Sequence, residues 1–113
     1  MIDYQKILND NLLNVFIDIL KNIEKIVGQK VVLHRTDYGN IQKLKAIFKE
    51  HNPVGIIHFA ADKAVNESVI NPLKYYQNNI ANLINLLEIT NEFEINSFVF
   101  SSSCTVYGTP KNV

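Results

Sequence analysis

The sequence predicts an α/β protein built on a parallel sheet. Three observations carry that expectation. Strand-like and helix-like patterns alternate from residue 31 onward. The run Val54-Gly55-Ile56-Ile57-His58-Phe59-Ala60-Ala61 is nearly continuous in apolar residues, as in a parallel strand covered on both faces. Polar residues collect just after each strand-like run, where open α/β sheets gather ligands.

The elements follow in chain order. Leu8, Leu12, Val15, Ile19, Ile23 and Ile26 keep a helical period, which predicts a helix over 4–27 with Gly28 as its stop signal. Taken alone, Asn14-Val15-Phe16-Ile17-Asp18 would also suit a strand ending in an acidic residue. Val31-Val32-Leu33-His34 is a β-branched run that predicts a first strand, ending at Thr36-Asp37. Ile41, Leu44, Ile47 and Phe48 stand at helical spacing, so a helix is expected over 41–50, stopped by His51-Asn52-Pro53. The 54–61 run is the second strand. Tyr75, Tyr76, Asn79, Ile80, Leu83, Leu86, Leu87 and Thr90 form one stripe, which predicts a long helix over 72–91. Ser97-Phe98-Val99-Phe100-Ser101-Ser102 closes the series as a third strand, and this order implies crossover connections within one sheet. The chain thus divides into a helical segment over 1–30 and an α/β unit over 31–113.

With 113 residues there is material for one small core. Eleven basic and eleven acidic residues cancel, leaving no long-range field that would favour nucleic acid or an anionic membrane. Cys104 is the single cysteine, and no early apolar run is flanked like a signal peptide, so a cytoplasmic setting is the default expectation. No stretch reaches the roughly 18 apolar residues of a membrane span. No metal-ligand pattern is read from the spacing.

Three strand ends carry the candidate chemistry: Thr36-Asp37, the segment 58–63, and Ser101-Ser102-Ser103-Cys104-Thr105. The hydroxyls of the last group each donate and accept, which suits a ligand rich in hydroxyls or phosphate. The same residues also suit turns and helix caps.

Specific blocks carry a resemblance. His58-Phe59-Ala60-Ala61-Asp62-Lys63-Ala64-Val65-Asn66-Glu67-Ser68-Val69, Asn71-Pro72-Leu73-Lys74-Tyr75-Tyr76-Gln77-Asn78-Asn79 and Phe98-Val99-Phe100-Ser101-Ser102-Ser103-Cys104-Thr105-Val106-Tyr107-Gly108 closely resemble the UDP-glucose 4-epimerase family, in the extended short-chain dehydrogenase superfamily. The similarity covers about 31–110, and the serine block alone is shared more widely. It implies a partial Rossmann-like doubly wound domain over 31–113, its parallel sheet truncated at both ends, with NAD as cofactor and a UDP-hexose as substrate. In that family NAD oxidises carbon 4 of the sugar and returns the hydride to the other face. By the same resemblance Asp37 accepts from the adenine amino group, with the Tyr38 main chain beside it. Phe59, Ala60 and Ala61 line the cofactor, Lys63 and Asn78 contact its polar middle, Ser103 bonds the sugar oxygen as the catalytic serine, and Thr105 helps orient substrate. These residues equally read as core strand, surface lysine, helix cap and turn. Asn66 stands where the family usually has glycine, at a turn expected to need positive φ, which Asn tolerates.

Two family features are missing from these 113 residues. No Gly-x-x-Gly-x-x-Gly occurs, the first glycine being Gly28. Tyr107-Gly108-Thr109-Pro110-Lys111 has the spacing of a catalytic Tyr-x-x-x-Lys, but Gly and Pro forbid the helix that would bring the two side chains together. Asp18 is assigned no role. The expectation is a chain inactive by itself, with a complementing chain or a homodimer as candidate partner. The competing readings are a piece of another sugar-nucleotide epimerase or dehydratase, and a non-catalytic α/β interaction module.

Overall fold

The structure, a computed structural model, describes residues 10–103, 106 and 108, with side chains from residue 18 onward. The first helix, α1, spans Asp10–Val27, so residues 14–18 are helical. The expected turns before residue 10 lie outside the described residues. Gly28 ends the helix with a φ of 72°, and its N–H donates to the Glu24 carbonyl at 2.8 Å. Only glycine takes that backbone region without steric cost, which is why the stop was legible.

The expected first strand is not formed. Residues 31–37 are in no regular element and pair with no neighbouring strand. Their local bonds are Val31 N–H to Glu24 Oε1 at 2.9 Å and Thr36 N–H to the His34 carbonyl at 3.1 Å. The physical reason is that β-branched residues favour extended backbone, whereas a strand needs another strand's edge to hold it. Among the described residues the sheet therefore has two strands where three were expected.

Residues 37–40 then turn sharply. Gly39 N–H donates to Asp37 Oδ1 at 2.8 Å, and Asn40 N–H to the Asp37 carbonyl at 3.0 Å. Asn40 also caps α2 (Ile41–His51) by accepting from Lys43 N–H at 3.1 Å. At the other end Asn52 adopts the left-handed conformation and its N–H donates to the Phe48 carbonyl at 2.8 Å, a helix stop of the expected kind.

Strand β1 (Gly55–His58) pairs in parallel with β2 (Ser97–Phe100), with Ile56 opposite Phe98 and His58 opposite Phe100. Between them run α3 (Val65–Ile70), α4 (Pro72–Tyr76), a π turn (Gln77–Ala81) and α5 (Asn82–Glu92). The last three form the long helix expected over 72–91, widened at its centre. Helix α3 was not signalled by periodicity. Six residues are too few to hold a helix alone, and tertiary bonds support it. Tyr75 Oη donates to the Ala64 carbonyl at 2.8 Å, and Lys74 Nζ lies 2.5 Å from Glu67 Oε1. Asn66 sits inside α3 and is not among the described non-glycine residues with positive φ, so the glycine-like turn expected there does not exist.

The core lies between α2, α5 and one face of the sheet. Leu44, Phe48, Leu86, Ile89 and Tyr38 are buried, with Ile56, Phe93, Ile95 and Phe98 packed against them. Phe48 and Phe93 meet edge to face with ring centroids 5.6 Å apart. Alternation along each strand sends Ile57 and Val99 to the other face, where they are 60% and 58% exposed. One face is covered where helices on both were expected. No helix among the described residues is long and apolar enough to cross a membrane.

Candidate functional site

The carboxyl ends of β1 and β2 lie side by side, and Ser101 N–H extends their ladder by donating to the His58 carbonyl at 3.0 Å. The 37–40 turn approaches this end from one side and the π turn from another. π turns are rare and concentrate at functional sites, because the extra residue re-aims the side chains around it. Here the residue it presents is Asn78, 8% exposed.

Tyr38 joins the two turns. It is 2% exposed, its hydroxyl donates to the Asn78 carbonyl, and its ring meets His58 edge-on at 5.3 Å. His58 is also stacked on Phe100 at 5.7 Å. Burial pushes the His58 pKa below its ordinary value, and a hydrogen bond with the Ala60 main chain opposes this only in part. Its Nε2 is buried with no hydrogen-bond partner.

Beside this pair, a cavity of about 300 Å³ is lined by Asp37, Gly39, Lys74, Gln77, Asn78 and Asn82. Gly39 packs closely here: a Cβ there would stand 2.5 Å from Asn82 Nδ2, so the Asn82 side chain would have to shift. Gln77 Nε2 donates to Asn82 Oδ1 at 3.2 Å, while Asn78 Oδ1 is buried and has no hydrogen-bond partner. Lys74 supplies a positive charge. Its pKa is raised, first by the hydrogen bond to Glu67, with smaller contributions from the charges of Asp62, 3.9 Å away, and Glu67. Tyr75 is also raised, by desolvation first and then by its bond to Glu67.

Asn79 holds the loop after β1. Its side chain accepts from Asp62 N–H at 2.8 Å and donates to the Asp62 carbonyl at 2.9 Å. Sequence reasoning gave Asn79 no such role. The available signal was an Asn-Asn pair inside a helix, where both residues are poor formers and tend to bond elsewhere.

Among the expected site residues, Asp37 and Asn78 come together in the lining of one cavity although 41 positions separate them in the sequence. Tyr38 is buried beside it. Phe59 is 75% exposed, Ala60 packs on the core, and Ala61 and Lys63 are exposed. Ser103 is exposed just beyond β2, and its carbonyl accepts from Val106 N–H at 3.3 Å. Thr105 lies outside the described residues.

The sequence profile of the family described as GDP-mannose 4,6 dehydratase matches residues 5–113. The chain belongs to that family. Its relatives there include the UDP-glucose 4-epimerase of Schizosaccharomyces pombe, 45% identical over 95% of this chain and 30% of the relative. The enzyme of the same name from Dictyostelium discoideum is 43% identical over 97% of this chain and 32% of the relative. Among solved structures, UDP-glucose 4-epimerase from Bifidobacterium longum in complex with NAD+ and UDP superposes with a TM-score of 0.73 at 39% identity. It matches 83% of this family member, which spans 28% of that chain. The epimerase resemblance and the Rossmann-type fold read from the sequence are both met by these findings. This family member covers about a third of the length of the curated relatives it matches.

Proposed function

We propose that this chain forms the adenine-side cofactor wall and carries the catalytic serine of an NAD-dependent UDP-hexose 4-epimerase. The observation that carries this reading is the cavity shared by Asp37 and Asn78 beside the π turn. A volume of about 300 Å³ suits one end of a dinucleotide. Its lining fits such a group: a carboxylate for an amino donor, three carboxamides, a lysine, and in Asn78 Oδ1 a buried acceptor without a partner. Relatives bound to NAD+ and UDP support the assignment.

In this reading Asp37 accepts from the adenine amino group, oriented by the Gly39 N–H that holds its Oδ1, with the Tyr38 main chain alongside. Phe59, Ala60 and Ala61 give the cofactor flat or small surfaces, and Lys63 and Asn78 meet its polar middle. NAD, when bound, takes up the hydride of sugar carbon 4 and gives it back. Ser103 holds the oxygen on that carbon by hydrogen bond and keeps its proton on a defined path, with Thr105 orienting the sugar. Positioning of this kind is a smaller factor than the base itself.

The exposed face bearing Ile57 and Val99 favours a complementing chain, or a second copy, as the partner that covers it.

The test is a chimera that keeps residues 31–110 unchanged between flanking segments of a complete family member. It is expected to retain NAD and epimerise. Ser103→Ala should then lower kcat by roughly tenfold or more while NAD stays bound. Asp37→Ala should weaken NAD retention and leave kcat nearly intact at saturating NAD. Unchanged turnover in Ser103→Ala would remove the serine from the mechanism.

A further inference from the structure

His34, Glu50 and His51 meet where the 31–37 segment passes the C-terminal end of α2. Their ligand atoms all lie within 4.8 Å of one another. The two Nε2 atoms of His34 and His51 are 2.7 Å apart, with the rings edge to face at 63°. Glu50 Oε1 is 3.8 Å from His51 Nε2.

Three features converge on a cation. Tetrahedral zinc with bonds of about 2.0–2.1 Å sets its donors about 3.3 Å apart. The 2.7 and 3.8 Å separations lie on either side of that spacing and all the ligand atoms lie within 4.8 Å of one another, so side-chain adjustments of about 1.5 Å or less bring the set to it. The helix C-terminus carries the negative end of the α2 dipole, which favours positive charge. Two imidazoles and one carboxylate are also a donor set of the kind that binds divalent zinc with one position left for water.

We propose that His34, His51 and Glu50 bind one zinc-class divalent ion, with water completing the coordination. In the present pair one ring donates and the other accepts through Nε2. On binding, the donating ring carries its proton on Nδ1 instead, so both Nε2 lone pairs face the ion and no proton is lost. The ion ties the 31–37 segment, which has no strand partner, to α2. That places a fixed point three residues before Asp37. The site does not depend on the epimerase reading. It left no spacing signature because two of its ligands are adjacent and the third is 16 residues upstream of Glu50.

Titration of the chain with Zn²⁺ and Co²⁺ tests the site. One ion per chain is expected to bind, and the thermal midpoint should rise with excess metal. His34→Gln and His51→Gln should each weaken binding by more than about 100-fold, since even the loss of groups outside the coordination sphere costs about 10- to 100-fold. Glu50→Gln should cost roughly tenfold. The chain has three histidines, so in the unaltered protein Co²⁺ should broaden the ring resonances of His34 and His51 and spare His58. This measurement decides the matter even if a variant fails to fold. Equal broadening of all three rings, tight binding that survives both substitutions, a thiolate charge-transfer band from Cys104, or no binding to the folded chain at millimolar metal would each overturn the proposal.

Discussion

The Tyr38 hydroxyl donates to the main-chain carbonyl of Asn78, forty residues further along the chain. This bond fastens the turn bearing Asp37 to the π turn that faces it across the cavity. Tyr38→Phe keeps the ring against His58 and removes the donor. A loss of about 1 kcal/mol is expected, readable as a drop of roughly 4 °C in the thermal midpoint. Adenine-nucleotide affinity should fall as well, because the two walls are no longer held together. A variant of parental stability and affinity would show that the bond positions nothing.

Gly39→Ala brings a Cβ to within 2.5 Å of the Asn82 amide, which must move and give up its bond to Gln77. The expected cost is about 1–3 kcal/mol. Asn82→Ala should relieve the clash, so the double variant should be more stable than the sum of the single losses, by about 0.5–3 kcal/mol in a double-mutant cycle. Strict additivity would place the strain elsewhere.

His58 makes stability depend on pH. Its folded pKa lies below the ordinary value of 6.5, mainly through burial. The unfolded chain therefore binds the proton more readily, and stability rises with pH across the interval between the two values. The contribution is fully present above 6.5 and is lost as pH falls toward the folded pKa. Urea unfolding should show a lower midpoint at about pH 5.5 than at about pH 7.5, and His58→Phe should flatten that part of the profile. An unchanged slope in the variant would move the effect to another group.

A polypeptide of these 113 residues should not interconvert UDP-glucose and UDP-galactose, even with added NAD. The sequence contains no Gly-x-x-Gly-x-x-Gly, and its one Tyr-x-x-x-Lys spacing holds Gly108 and Pro110. Lack of a general base alone costs about 10²- to 10⁴-fold. A coupled assay giving turnover near that of a complete epimerase would refute this.

Much of the site was legible only through likeness. Asn78 and Ser103 were singled out because the blocks around them resemble a known family, and Asp37 because that likeness extends over about 31–110. Spacing alone said only that polar residues follow strands. The clasp of Asn79 on Asp62 and the His34–His51 pair were not legible, since each depends on where two distant segments come to rest.

By itself the sequence determined the features that local physics decides. These are the helical period of α1, the Gly28 stop, the end of α2 at His51-Asn52-Pro53, the two apolar runs that became β1 and β2, and the reach of the long helix. Each depends on backbone preference and apolar spacing within a short window. Tertiary structure alone decided that Val31-Val32-Leu33-His34 stays unpaired, that the long helix opens into a π turn at Asn78, and that α3 forms at all. A strand exists only where another edge meets it, and a π turn or a six-residue helix persists only where neighbours such as Tyr38, Lys74 and Tyr75 hold it.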